Sequence, residues 1–346
     1  MKKRVYEVSL LNVIFTLLVI FIHVSSDALM ALDKTRLPYV IIMTLWRMST
    51  FVVQGFIFLS GFKMFYGLSE PINYKKYYLS KLKKIFLPYI LWVIIYYFCY
   101  LYKGHFTGEN HLILIIKYII SGNISAQFYF IVVIAQFYLL LPLWVWLKNK
   151  VSPTFAIVGS FLIMYLCSTQ LPVMLANRGI YFLYNDRIFT TYLFYFVFGI
   201  YAATEYEKFT SILKKKFITI SLAFFLMLAV NTVITYMWQT QRLTGFIIDS
   251  VHIIYCLCAI VFIYALVIRC ERISTNHIIK NIDGSSYYIY LTHMLFVLGI
   301  NYFMAQQHIT SVWLTYSIRI IFVYSASLII CIGYSKLKKN LIQKKT

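Results

Sequence analysis

Residues 9–30 read SLLNVIFTLLVIFIHVSSDALM, an apolar run in which Asp27 is the only Asp, Glu, Lys or Arg residue. As an α-helix, this run rises about 33 Å, which is enough to cross the roughly 30 Å hydrocarbon core of a bilayer. Lys2, Lys3 and Arg4 precede the run, as in a signal peptide, but no small-residue cleavage site follows it. We therefore predict a retained first membrane helix.

Apolar runs of this kind recur along the chain. Of its 346 residues, 61% are hydrophobic and 12% are charged, about half the charged share of a soluble domain. Residues 111–121 are too short to cross and are expected to be interfacial or re-entrant. The predicted fold class is therefore all-α, one polytopic helical membrane bundle over residues 1–346. Hydropathy predicts ten spans, over residues 9–30, 45–67, 85–102, 127–147, 154–171, 188–204, 217–237, 247–268, 286–304 and 312–333.

The basic residues predict the orientation of these spans. Of the 32 Lys and Arg residues, 23 fall on the side that holds both termini and the 63–84 loop, and nine remain for the other side and the membrane interior. Cytoplasmic loops carry the excess of Lys and Arg in membrane proteins. We therefore expect both termini and the 63–84 loop to be cytoplasmic.

Charge and cysteine content argue against two other classes of protein. The net charge of +21 comes from basic residues at the ends of apolar spans rather than on one soluble face, so anionic lipid headgroups and an anionic substrate are the expected partners, not nucleic acid. The six cysteines form no CxxC pair and no cluster with metal-ligand spacing. Neither a disulfide framework nor a metal site is predicted.

Polar residues of the first span lie on one helical face. An imidazole about 16 Å along the helix from Asn12 could serve as a general base, since it is mostly neutral at pH 7. The alternative is that His23 donates a structural hydrogen bond to a neighbouring helix. The residues of this face are Ser9, Asn12, Thr16 and His23, continued outward by Ser26 and Asp27.

Two other spans carry histidines. His293 shares a face with Ser286 and Tyr290, and it either lines a cavity or makes an interhelical hydrogen bond. Asp249 and His252 stand at i and i+3 near the outer end of the eighth span. There a carboxylate could orient an imidazole, or both could be solvated at the span end.

Arginines within spans are the remaining candidates. Arg47 shares a face with Gln54, and Arg319 lies inside the tenth span, where each either holds an anionic group or snorkels to the interface. Ser60 precedes Gly61, but the GxSxG pattern of a hydrolase nucleophile is absent. Close helix packing by small residues is the expected role of this pair.

Several of these segments resemble the acyltransferase-3 family of membrane O-acyltransferases. The family's first span carries an Arg, ten intervening residues and a His, and His23 fills the His position while Asn12 fills that of the Arg. The likeness covers almost the whole chain. Within the family, the chain is similar to the Gram-positive branch linked to poly-N-acetylglucosamine. The other matching segments are FIFLSGF (56–62), YLSKLKKIFLPY (78–89), QFYFIVVIAQFYLLLP (127–142) and SSYYIYLTH (285–293).

The resemblance implies an acyl transfer from cytosolic acyl-CoA, with acetyl-CoA the expected donor and succinyl the other candidate group, to a hydroxyl of an extracytoplasmic cell-surface glycan. It implies His23 as general base, with no metal, in a bacterial plasma membrane. The resemblance also implies a site for the phosphates of CoA. This site would consist of Lys81, Lys83 and Lys84, which we call the basic run, assisted by Asn12. Cavity-lining roles fall to Arg47, Ser60, Tyr129, Gln136, Tyr287 and His293.

Asn12 is the main departure from the family pattern. An amide can hydrogen-bond to a donor but supplies neither the charge nor the bidentate fork of a guanidinium. The alternative function is a transporter or export accessory for a polysaccharide or lipid-linked sugar that keeps the scaffold without the chemistry. Either function would fit a partnership with a polysaccharide synthase or export complex.

Overall fold

The computed structural model describes residues 5–68, 71–106, 108, 110–243, 245–270 and 276–343, with the side chains of residues 246 and 338–343 left aside. Lys2, Lys3 and Arg4, and most of the C-terminal lysines used to predict orientation, lie outside these descriptions. Every regular element in the described ranges is helical, which confirms the predicted fold class.

The helices follow one another with short connections. One-turn π-helical segments, Leu82–Phe86 and Leu166–Gln170, join α4 to α5 and α9 to α10, and two 3₁₀ turns, Asn185–Arg187 and Phe189–Tyr192, precede α11. The α-helices are α1 (Tyr6–Ala31), α2 (Leu37–Ser49), α3 (Val52–Tyr66), α4 (Tyr74–Lys81), α5 (Leu87–Tyr102), α6 (His111–Ser121), α7 (Tyr129–Leu139), α8 (Leu141–Lys150), α9 (Pro153–Tyr165), α10 (Leu171–Ala176), α11 (Leu193–Thr204), α12 (Tyr206–Lys215), α13 (Phe217–Gln239), α14 (Gly245–Val267), α15 (His277–Gln306) and α16 (Val312–Gln343).

Within the described residues, eight continuous helical stretches are long and apolar enough to cross a membrane, and α7 with α8 forms a ninth if this pair, bent by 57°, is one span. Pro142 stands in the first turn of α8, where its ring and missing N–H break the preceding helix. The predicted span over 188–204 would be the tenth, but its apolar helix covers only Phe189–Thr204 and is too short to count as a span. Residues 111–121 form the apolar helix α6, which is too short to be a span as expected, and its interfacial or re-entrant placement stays a prediction.

The predicted 63–84 loop is shorter than expected. Helix α3 continues to Tyr66, and one long apolar stretch then runs from Tyr74 to Tyr102. The basic run therefore lies on helical turns that lead into a span rather than in a loop.

The helices group into two compact units. We call Ile57–Glu205 the central unit, and Lys3–Phe56 together with Tyr206–Thr346 the terminal unit. The prediction of a single domain over residues 1–346 stays a prediction.

Helix α1 is the core of the terminal unit. It packs against α2, α14, α15 and α16. Helix α1 is more deeply enclosed by its neighbours than α13, in which only Phe224, Asn231 and Thr235 are buried. Apolar side chains of α1 such as Ile20 and Val24 pack with Ile289 of α15 and Val323 of α16. Any polar face on α1 is therefore directed largely at other helices.

Two glycines set the packing of α3 against α11 in the central unit. A Cβ built on Gly61 would lie 2.2 Å from the carbonyl oxygen of Phe196, and one on Gly199 would lie 2.1 Å from that of Phe58. Only glycine permits backbones to approach this closely. The geometry supports the packing role expected for the Ser60–Gly61 pair, and Gly199 is its counterpart on the facing helix.

Candidate functional site

The polar face of α1 meets polar groups of α15 in the N-terminal half of α1. The Nδ2 of Asn12 donates to Oδ1 of Asp283 at 2.9 Å and to Oγ of Ser286 at 3.2 Å. Asn12 and Asp283 are each only 8% exposed. Sequence reasoning missed Asp283, although it stands three residues before Ser286 on a face that was already identified as polar.

The two histidines singled out on different spans come together farther along the same helices. The ring centroids of His23 and His293 lie 5.2 Å apart, with the ring planes tilted by 41°. His293 is fully buried, and its Nδ1 lies 3.1 Å from the carbonyl oxygen of Ile289. A carbonyl can only accept, so Nδ1 carries the proton and Nε2 of the neutral ring is an acceptor. This Nε2 is buried and has no hydrogen-bond partner in the described part of the chain.

A closed polar triangle stands beyond the histidines. Arg319 of α16 pairs with Asp27 of α1 through Nη2 and Oδ2 at 3.0 Å, and its Nε donates to Oδ1 of Asn301 at 2.8 Å. Asn301 completes the triangle by donating from Nδ2 to Oδ2 of Asp27 at 3.0 Å. Arg319 thus has internal partners, where the sequence left it between anion binding and snorkelling.

Together these contacts form a column of polar groups along α1. Measured along the helix, His23 stands about 16 Å from Asn12, and Asp27 about 6 Å farther on. Helices α15 and α16 supply the partners at each level. The column gives the terminal unit polar groups at successive depths of its core.

A second polar group of the terminal unit surrounds Arg47. Arg47 is 8% exposed, and its Nε donates to Oδ1 of Asn231 on α13 at 3.3 Å. On α14, Nε2 of His252 lies 3.4 Å from Sγ of Cys256. The arrangement in which Asp249 orients His252 does not form, since the described residues show no hydrogen bond between them.

Tyr129 and Gln136 of α7 anchor one backbone segment in the central unit. The amide of Gln136 donates to the carbonyl of Arg187 at 2.6 Å and accepts from the N–H of Phe189 at 3.2 Å. Tyr129 shares a hydrogen bond with Tyr192. Both side chains therefore hold residues 187–192 in place, and their cavity role stays a prediction.

The three lysines of the basic run have different surroundings. The Nζ of Lys81 lies 3.9 Å from the centroid of the Tyr138 ring and 5.3 Å from that of Tyr77, so cation–π contacts position it. Lys83 and Lys84 occupy the π-helical turn and are exposed. Two of the three charges are thus open to an anionic ligand, and the third is stacked between aromatic rings.

The remaining candidate residues are Ser60 and Tyr287. Ser60 belongs to α3 in the central unit and is half-buried beside the Gly61 contact. Tyr287 belongs to α15, six residues before His293, with its ring centroid 6.5 Å from that of Tyr288. Among the described residues, no group of three or more His, Cys, Asp or Glu side chains is placed to hold a metal ion.

Comparison with known proteins bears on the chemistry of this arrangement. A family model described as an acyltransferase domain, that of acyltransferase-3, matches residues 5–336, nearly the whole chain. Neither the search of curated proteins nor the search of solved structures gave a match. A family match of this extent, together with the helical membrane architecture, places this chain in the acyltransferase-3 family.

Proposed function

We propose that this membrane acyltransferase moves an acetyl or succinyl group from cytosolic acyl-CoA to a hydroxyl of an extracytoplasmic glycan. The observation that carries the proposal is the contact between His23 and His293 within a polar column of a family acyltransferase. Poly-N-acetylglucosamine is the acceptor class suggested by the sequence resemblance. A bacterial plasma membrane with cytoplasmic termini, and a synthase or export complex as partner, belong to the same proposal.

His23 is the general base in this mechanism. It accepts the proton of the acceptor hydroxyl as that oxygen attacks the thioester carbonyl. The C–S bond then breaks, the acyl group stays on the glycan oxygen, and the proton passes from His23 to the leaving sulfur of CoA. His293 keeps its own proton on Nδ1 through the Ile289 carbonyl, so its Nε2 can accept a hydrogen bond within the pair.

The donor is bound from the cytoplasmic side. The exposed Lys83 and Lys84 can meet the phosphates of CoA as point charges. Asn12 offers only an uncharged contact, and its Nδ2 already donates to Asp283. Because Asp283 engages the amide donor of Asn12, the basic run, rather than Asn12, is the proposed phosphate site.

Free CoA release by the purified protein in nanodiscs, with a panel of labelled acyl-CoAs and a poly-N-acetylglucosamine acceptor, tests the proposal. His23→Ala should lower the transfer rate by about 10²–10⁴-fold, because it removes the proton acceptor and keeps the helix. His308→Ala, outside the spans, is the matched control and should transfer normally. A His23→Ala protein that keeps more than half of the wild-type rate would refute the mechanism.

The second candidate function is export of a polysaccharide or lipid-linked sugar without catalysis. Asn12 in the family's Arg position is the observation that favours it. This function predicts no dependence on acyl-CoA in any variant and a phenotype only in glycan export. The same panel of acyl-CoAs therefore separates the two functions.

A further inference from the structure

Arg47 has donors without acceptors in the core of the terminal unit. It stands ten residues into α2, about 15 Å from the start of the helix, and is 8% exposed. The only hydrogen bond of its side chain in the described part of the chain joins Nε to Asn231, so its two Nη nitrogens donate none there. The two Nη nitrogens are not among the fully enclosed polar atoms of the described residues, so they open onto the surface of the unit, where a guanidinium in apolar surroundings calls for an anionic partner.

The other intramembrane arginine shows how this chain pairs a buried guanidinium when no ligand is involved. Arg319 has a carboxylate, an amide oxygen and a backbone carbonyl around it. Asp249 is the carboxylate whose charge acts on Arg47. The two residues make no ion pair, and Asp249 is exposed. The open donors of Arg47 are therefore a feature of this position and not of arginines in this fold generally.

Two neighbours add unpartnered polar atoms to the same place. Asn231 is fully buried, and because its Oδ1 accepts from Arg47, its Nδ2 is left as a donor without a partner among the described residues. His252 lies within electrostatic range of Arg47, and its buried Nδ1 is likewise unpartnered within the described ranges. Helices α2, α13 and α14 thus each contribute one polar side chain. Arg47 and Asn231 supply N–H donors, and Nδ1 of His252 donates in the tautomer whose Nε2 accepts from Cys256.

We propose that Arg47, Asn231 and His252 form a binding site for an oxyanion. The planar fork of an arginine matches two oxygens of a phosphate or carboxylate, and an amide N–H adds a charge-assisted hydrogen bond. An uncharged ligand would leave the guanidinium uncompensated. The oxyanion has two possible sources, the headgroup of a bilayer lipid and a phosphorylated sugar.

The residues of this site differ from His23 and His293, to which the proton transfer is assigned. Its partners come from α2, α13 and α14, whereas the polar column lies between α1, α15 and α16. Binding can therefore be measured without acyl-CoA, and its outcome does not depend on the proposed function.

Native mass spectrometry of the full chain in detergent, without acyl-CoA, tests the site. The probes are phosphatidylglycerol, N-acetylglucosamine 1-phosphate and uncharged N-acetylglucosamine, and the mass retained identifies the source. Wild-type protein should retain at least one phosphate-bearing probe in preference to the uncharged sugar. Arg47→Gln and Asn231→Leu, whose new side chain has the same branching, should each weaken that binding about tenfold or more, since each removes hydrogen bonds to a charged group.

Matched variants keep the result interpretable. Ser221→Ala removes a hydroxyl at the other end of α13, where it bonds its own helix, and should bind as wild type does. If Arg47→Gln does not fold, Asn231→Leu and His252→Phe, which keeps a ring against Tyr255, decide the matter. Equal retention of the phosphate probes by wild type and Asn231→Leu would overturn the inference, as would no preference of the wild type for phosphate. If the wild-type protein binds a phosphate probe but transfers no acyl group, the result counts against the proposed function and not against this site.

Discussion

Alanine at Gly61 or Gly199 should destabilise the central unit by forcing α3 away from α11. The new Cβ would lie 2.2 Å or 2.1 Å from a carbonyl oxygen of the facing helix, whereas real Cβ contacts are essentially never below 3.0 Å. The helices therefore have to part by close to 1 Å. The obstructing atoms belong to the backbone, so no side-chain rotation relieves the clash.

Overpacking of this kind costs about 1–3 kcal/mol. In domains of 150–250 residues, 1 kcal/mol moves the unfolding midpoint by about 2–4 °C, so each variant should melt roughly 2–12 °C below wild type. The double variant should lose less than the two single losses combined, because the first Cβ already opens the gap that the second needs.

Thermal unfolding in detergent, followed by intrinsic fluorescence, measures these shifts. Gly159→Ala is the matched control, since a Cβ on this helical glycine would meet no atom within 4 Å. It should melt at or above the wild-type temperature because alanine is the better helix former. The packing argument fails if Gly199→Ala melts with the wild type or if Gly159→Ala loses as much as Gly61→Ala.

Three further predictions address pairing, donor binding and topology. Asp27→Ala should destabilise the protein by about 1–3 kcal/mol, because it leaves the Arg319 side chain without its carboxylate. The double variant Asp27→Ala, Arg319→Leu should recover part of this loss in the same melting assay. No recovery would mean that the broken ion pair is not the cause. Neutralising the basic run should raise the Michaelis constant for acyl-CoA strongly, while Asn12→Ala should change it little; an unchanged constant in the triple variant would remove the basic run from the donor site. A cysteine at Lys76 should be protected from impermeant thiol reagents added outside intact cells, and rapid labelling there would reverse the proposed orientation.

The positions of the spans are predictable from the sequence because apolar length is a local property of the chain. The exceptions have local causes as well. Residues 188–204 are apolar enough, but their helix starts with a 3₁₀ turn at Phe189 and stops at Thr204, which leaves it short of a full span. The extension of the third span back to Tyr74 escaped prediction because the basic run lowers its hydropathy while remaining helical.

The residues of α1 in the polar column were visible in the sequence, but two of their partners, Asp283 and Asn301, were not. His23 and His293 stand out because a histidine in an apolar run is costly and therefore noticeable. That Asp283, Asn301 and Asn231 face α1, α16 and α2 depends on how each helix is rotated about its axis, which no local pattern specifies. The same holds for Gln136, whose amide binds backbone 51 and 53 residues away.

Asn12 and Asp283 are 271 residues apart in the chain. A ribosome that adds about 5–20 residues per second needs roughly 14–54 s to travel between them. Throughout that interval the first helix is already made, while its partner on α15 does not yet exist. A chain whose synthesis stops before α15 therefore has polar side chains on its first helix without their partners on α15. This exposed polar face distinguishes an unfinished chain from a complete one.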